Sequence, residues 1–296
     1  MIPFLGEISA LSAAMLWSCS SFVFTEATIR IGTIQLNISR MILASILLLL
    51  TLYIFSIHFE ISNYQLIWLS VSGFIGLVIG DSFLFKSFQI IGPRISMLLM
   101  SFNPAIAAIF AYVIIGERLS IFAILGMMIT LTGISIVILE KNRNQGKFKI
   151  TTFGIASGFI AAFGQGFGLV LAKMAYNDGD VHTLVATFVR ISSAVIIMLP
   201  ISLVFRKYKN PFKLFWNDRK SLLLVFIGSI IGPYLGITLS FLAIAYTKVG
   251  IASTMMSTMP VIMLPLSKLI YKENLTIKAI AGAFIAVTGV AVLFLA

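Results

Sequence analysis

Long apolar runs dominate this chain, and its polar residues gather in the short gaps between them. Runs of about 20 apolar residues, the length a helix needs to cross the hydrocarbon core of a bilayer, fall at 4–24, 34–56, 65–88, 95–115, 121–139, 152–173, 183–205, 221–246, 251–271 and 277–295. The pattern predicts an all-α polytopic membrane protein of ten transmembrane helices. It also repeats. A constant offset carries residues 76–139 onto 232–295 without a gap and matches roughly three positions in ten. The matches include Gly76/Gly232, Gly80/Gly236, Ser101/Ser257, Pro104/Pro260, Glu117/Glu273, Gly126/Gly282 and Gly133/Gly289. Earlier pieces follow with small gaps, Arg40 corresponding to Arg190 and Ala13-Ala14 to Ala161-Ala162. Each copy carries an odd number of helices, so the second enters the membrane upside down. The expected organisation is two inverted five-helix repeats, 1–140 and 151–296, joined by a basic linker at 141–150.

Composition changes this picture little. Of the 296 residues, 59% are hydrophobic and 10% charged, with a mean hydropathy of +1.07, whereas soluble domains carry about a quarter charged residues. The net charge of +11 would suit nucleic acid if it lay on one soluble surface. Here it sits in inter-helix loops, so nucleic acid is not an expected partner. Arg30, Arg94, Lys141, Arg143, Lys147, Lys149, Arg206, Lys207, Lys209, Lys213, Arg219 and Lys220 follow odd-numbered helices, while the opposite side holds little beyond Arg118 and Lys248. By the positive-inside rule the basic side is cytoplasmic and both termini are outside. The N-terminus lacks the basic region and cleavage site of a signal peptide, so the first helix is read as retained. The one cysteine, Cys19, lies in an apolar run, leaving no disulfide or zinc framework within one chain. No cofactor is expected.

Catalytic groups are scarce. His58 and His182 fall at loop edges, and no metalloprotease, nucleophile-elbow or phosphate-loop motif occurs, so the chain does not read as an enzyme. Ionisable residues within the spans are Glu7, Arg40, Asp81, Lys86, Lys173 and Arg190. Such residues are costly in lipid and tend to face an interior or a wet cavity. Lys86 and Lys173 lie near helix ends, where they can snorkel. Arg40 and Asp81 stand at similar depth on neighbouring helices, as a packing ion pair or as groups for substrate or proton. Arg190 repeats Arg40 near the opposite face, with Ile237 where the first copy has Asp81.

Pro104 and Pro260 interrupt equivalent helices, each freeing a carbonyl near Met100 or Met256. Matched interrupted helices in the two halves point to a midplane binding site, and inverted repeats to alternating access. Candidates to line that central cavity are Trp17, Asn103, Gln165, Tyr234, Thr238 and Tyr246. The turns at Glu117 and Glu273 read as structural, with Ser120 and Thr276 as N-caps of the helices that follow.

Each copy thus ends in a proline-bearing helix, a Gly-Glu-Arg-Leu-Ser-like turn (116–120 and 272–276) and a Gly-rich helix. Together with the Ala13-to-Trp17 region and Arg40 and Arg190, this resembles the EamA family of the drug/metabolite transporter superfamily over about residues 6–139 and 154–295. The resemblance implies a secondary transporter of the plasma (inner) membrane. It implies export or import of small metabolites, amino acids included; the chain itself is expected to export a small organic metabolite, an amino acid or similar solute, as a monomer or weak homodimer in the bilayer. It further implies a cavity lined by helices other than the fifth and tenth, and termini in the cytoplasm, opposite to the basic-loop reading. Small four-helix relatives couple to protons through a carboxylate in helix 1. Here that position offers Trp17-Ser18-Cys19, so no residue matches it. Two alternatives stay open: an importer of a cationic or phosphorylated metabolite, and a membrane-embedded enzyme or accessory subunit.

Overall fold

The computed structural model describes residues 4–139, 151–271 and 276–294, so the 141–150 linker and the Glu273 turn lie outside the described residues. Among those described, all regular structure is helical. Helices α1 (Leu5–Ile31) and α2 (Thr33–Ile54) are joined by Gly32 alone, at φ +83°, a conformation only glycine adopts at low cost. A capping box between Ser62 and Gln65 opens α3 (Asn63–Gly73). That helix runs through a π-helical segment (Phe74–Gly80) into α4 (Asp81–Met100), which kinks at Gly92, φ +80°. Helices α5 (Asn103–Ile115) and α6 (Ile121–Leu139) complete the first half.

The second half holds α7 (Thr152–Asp178), α8 (Thr183–Val204), the short α9 (Pro211–Asn217) and α10 (Arg219–Ser229). A second π segment (Ile230–Tyr234) leads into α11 (Leu235–Tyr246), followed by α12 (Val249–Met256), α13 (Met259–Tyr271) and α14 (Ile277–Phe294). Among the described residues, seven helical stretches are long and apolar enough to cross a membrane. Asn103–Ile115, Ile121–Val137 and Ile277–Leu293 are shorter apolar helices.

Helix α9 lies in what the sequence reads as a basic loop. Pro211 occupies its first turn and the Asn210 carboxamide oxygen accepts the Phe212 and Lys213 amides at 3.0 and 3.3 Å, which is enough to close two turns. Phe212 and Trp216 are exposed, and the Arg219 guanidinium sits 4.6 Å from the Trp216 ring centre. Aromatic and basic side chains placed together in this way suit a membrane–water interface.

The two π segments begin at Phe74 and Ile230, positions equivalent under the repeat offset. Small residues let other backbones press against them. A Cβ on Gly164 would lie 3.0 Å from Gly80 Cα, and one on Gly168 3.2 Å from Gly76 Cα, so α7 lies backbone to backbone on the first segment. Against the second, α1 instead offers Trp17 and Phe24, whose rings fill the space above Gly236 and Gly232.

Helices α6 and α14 form a close pair through Gly126, Gly133, Gly282 and Gly289. A Cβ on Gly133 would overlap the Ala286 amide, and one on Gly282 would come within 2.9 Å of the Gly133 carbonyl. Their outer face exposes Phe122, Leu125, Met128, Phe284 and Val287, the surface a lipid-facing pair requires.

Ser120 and Thr276 cap α6 and α14 through the Ala123 and Ala279 amides, at 3.0 and 3.2 Å. Glu117 does more than shape its turn. Its carboxylate accepts the Val249 amide at 2.9 Å and so caps α12 of the other repeat, while burial pushes its carboxyl above the usual glutamate range. Lys173 does not snorkel. Its ammonium donates to the Ile244 and Thr247 carbonyls, satisfying the C-terminus of α11 where carbonyls have no helical partner.

Candidate functional site

Both proline-bearing helices are interrupted, and both interruptions border one cavity. Helix α4 ends at Met100, Ser101 and Phe102 form a turn, and α5 restarts at Asn103 with Pro104 in its first turn, where no helical amide bond is lost. In the second half α12 ends at Met256, Ser257 and Thr258 turn, and α13 restarts at Met259 with Pro260 next. Met100, Ser101 and Asn103 face a cavity of about 970 Å3, its open mouth included, from one side, and Met256, Ser257 and Met259 from the other. Ser18 Oγ donates to the Met259 carbonyl at 3.2 Å, fixing one break to α1. Gly166 of α7 approaches the Asn103 carbonyl so closely that a Cβ would stand 3.0 Å from it.

The remaining wall comes from α1 (Trp17, Ser20, Ser21, Phe24), α2 (Arg40), the first π segment and α4 (Leu77, Asp81, Leu84, Phe85, Phe88, Met97), α7 (Gln165, Leu169), α8 (Arg190), α11 (Ile237, Ser240) and α12 (Ser253). Among the described residues, none of α6 or α14 takes part.

A ring of hydrogen bonds organises the first-repeat side of this wall. The Asn37 amide group donates to the Leu77 carbonyl at 3.0 Å, and its oxygen accepts Arg40 Nε and Nη2 at 3.1 and 2.8 Å. Arg40 Nη2 pairs with Asp81 Oδ2, the other Asp81 oxygen accepts Gln165 Nε2, and Gln165 also donates to the Gly76 carbonyl at 3.1 Å. Gly76 and Leu77 are adjacent members of the π segment, whose wider turn makes their carbonyls available to side chains. Both members of the Arg40–Asp81 pair are buried, and the guanidinium also lies 4.7 Å from the Phe85 ring centre and 5.3 Å from that of Phe24. In a low-dielectric interior such a pair is supported by the further hydrogen bonds that Asn37 gives Arg40 and Gln165 gives Asp81.

Arg190 is placed differently. It is 2% exposed, stacks 5.0 Å from the Phe241 ring centre, and among the described residues its Nε and Nη2 have no hydrogen-bond partner. Gly73 and Gly76 make the room it occupies, since a Cβ on either would overlap the Arg190 carbonyl or Nη2. Asn103 Oδ1, on the same cavity, is also buried without a partner.

Of the residues singled out in the sequence, Trp17, Asn103, Gln165, Arg40, Asp81 and Arg190 therefore come together on one cavity. Tyr234, Thr238 and Tyr246 do not line it. The Tyr234 hydroxyl meets Thr51 Oγ1 at 2.8 Å on α2, Thr238 bonds back to the Tyr234 carbonyl, and Tyr246 is exposed at the end of α11. The second π segment ends at Tyr234, and its wider turn shifts the side-chain register of the helix that follows. Asn37 and the two stacked phenylalanines were not singled out. Phe85 and Phe241 are equivalent under the same offset that relates the two prolines, a signal that could have found them. Among the described residues no cluster of His, Cys, Asp and Glu is arranged to hold a metal ion.

Comparison with known proteins accounts for the duplication. The sequence profile of the EamA-like transporter family matches twice, over residues 4–139 and 152–295. The chain belongs to that family. EamA proteins form part of the drug/metabolite transporter superfamily, so this chain is a multi-pass membrane protein of that transporter type. A solved structure, titled only as the crystal structure of a protein, superposes with a TM-score of 0.76 over 98% of this chain and 96% of its own, at 17% identity. At that identity the likeness speaks for the fold alone. No curated protein sequence matches this EamA chain.

Proposed function

We propose that this EamA protein is a secondary transporter that exports a small organic metabolite, an amino acid or similar solute, across the plasma membrane by alternating access. Ten spans are assigned in two inverted repeats. In this reading α4–α5 and α12–α13 rock about the Ser101–Phe102 and Ser257–Thr258 turns, exposing the central cavity first to one face and then to the other. The observation that carries the reading is the meeting of the two interrupted helices, one from each repeat, on a single cavity that α6 and α14 leave to the other helices. A buried Arg–Asp pair and polar atoms without a partner among the described residues support reading that cavity as a place for a polar ligand.

The test compares extracellular and intracellular metabolite pools of cells expressing the wild type, Asn103→Ala or Gln165→Ala at matched membrane abundance. The expected result is at least one small metabolite that accumulates outside with the wild type and returns to the empty-vector level in both variants. Unaltered efflux by both variants would remove the cavity from the transport path.

A further inference from the structure

The charge pattern of the cavity selects a class of solute. Among its lining residues the ionisable side chains are Arg40, Asp81 and Arg190. Arg40 and Asp81 cancel, each held by the ring through Asn37 and Gln165. One cation is left over. A buried guanidinium with free N–H groups is costly unless an anion joins it, and among the described residues no side chain hydrogen-bonds Nε or Nη2.

The repeat explains how this vacancy arose. Arg40 stacks on Phe85 in the first copy and Arg190 on Phe241 in the second, an equivalent pair in an equivalent setting. What differs is the third partner: Asp81 faces the first guanidinium, and the corresponding position of the second copy is Ile237, which also lines the cavity. The second site thus keeps its cation and its aromatic platform and lacks its carboxylate.

We propose that Arg190 anchors a carboxylate of the transported solute, which supplies to the second repeat the group that Asp81 supplies to the first. This rests on the transport reading above and names the solute class. Three features narrow that class. Nε–H and Nη2–H lie on one edge of a guanidinium, the fork that takes both oxygens of a carboxylate side by side. A single uncompensated cation matches a single negative charge, where a phosphate dianion would call for a second. The free Asn103 oxygen accepts a hydrogen bond, so it suits a solute that also carries an N–H or O–H donor, while Met97, Met100, Met256 and Met259 supply an adaptable apolar lining.

The experiment measures thermal stabilisation of the purified, detergent-solubilised protein by matched probes: leucine, 4-methylpentanoate, leucinamide, and sodium chloride at equal ionic strength. Binding to the native state raises its apparent stability. The two carboxylates should raise the melting temperature and leucinamide should not. Arg190→Lys should weaken the apparent carboxylate affinity by about tenfold or more, because an ammonium offers no parallel fork. Ile237→Asp provides a second arm that does not remove the cation. The new carboxylate should pair with Arg190 as Asp81 pairs with Arg40, and the response to both carboxylates should disappear while the unliganded protein melts no lower than wild type. Equal stabilisation by leucinamide, an equal effect of chloride, or an undiminished carboxylate response in Ile237→Asp would each overturn the assignment. Because the readout is binding, it separates from the transport reading: carboxylate binding without any efflux would sink transport alone, and efflux of a solute lacking a carboxylate, unchanged by Arg190→Lys, would sink the anchor alone.

Discussion

The Arg40–Asp81 pair illustrates why a charge inside a membrane protein is judged by its partners. Asp81 accepts from both Arg40 and Gln165, and Arg40 from its side reaches Asn37 and two aromatic rings. Removing one member leaves the other buried and uncompensated, which costs about 3–5 kcal/mol, whereas exchanging both for apolar residues of similar volume is often close to neutral. Asp81→Ala alone should therefore lower the chemical-denaturation stability in detergent by about that amount, and Arg40→Met combined with Asp81→Leu should cost much less. Equal losses in the single and double variants would show that the ring is not an energetic unit. The free edge of Arg190, by contrast, has no such network to lose, which is why its variants are read through ligand response rather than stability.

At the scale of elements, the two copies share a scaffold and differ at the cavity. The α6–α14 pair depends on glycines at equivalent positions of both repeats, and the Gly133 Cα approaches the Ala286 backbone too closely for any side chain. Gly133→Val should lower stability by about 1–3 kcal/mol through overpacking, measured by the same denaturation, without altering which solutes stabilise the protein. A changed solute preference in this variant would mean that the pair communicates with the cavity. The π segments show the opposite tendency. They begin at equivalent residues, yet the first is gripped by Asn37 and Gln165 through its carbonyls and the second is covered by Trp17 and Phe24. One repeat has a polar joint where the other has an aromatic one.

For the molecule as a whole, the caps that cross between repeats matter most. Glu117 of the first repeat holds the start of α12 in the second, and within the second repeat Lys173 holds the end of α11, so helix ends are completed by side chains of other elements. Orientation is argued at this scale too. By the positive-inside rule the exposed basic residues around α9, Lys207, Lys209 and Lys213, predict a cytoplasmic face there, opposite to what the family resemblance implies. Lys213→Cys in a Cys19→Ser background should resist a membrane-impermeant maleimide in intact cells and react after permeabilisation. Labelling of intact cells would put this face outside and both termini in the cytoplasm.

Much of the architecture was legible in the chain because it depends on local pattern. Apolar length marks the helices, the offset between copies reveals the repeat, and proline with its missing amide marks where α5 and α13 restart. Sequence reasoning also reached Trp17, Asn103, Gln165, Arg40, Asp81 and Arg190, since polar groups in a span and residues beside a break are few. Tyr234, Thr238 and Tyr246 were candidates by residue type alone, and residue type does not fix which face of a helix meets the cavity. Only the tertiary structure decided which charge found a partner. Arg40 and Arg190 are the same residue at equivalent positions, yet Arg40 is met by Asn37 of its own helix and Asp81 of α4 while, among the described residues, Nε and Nη2 of Arg190 are met by no such group, a matter of packing that no spacing along the chain encodes.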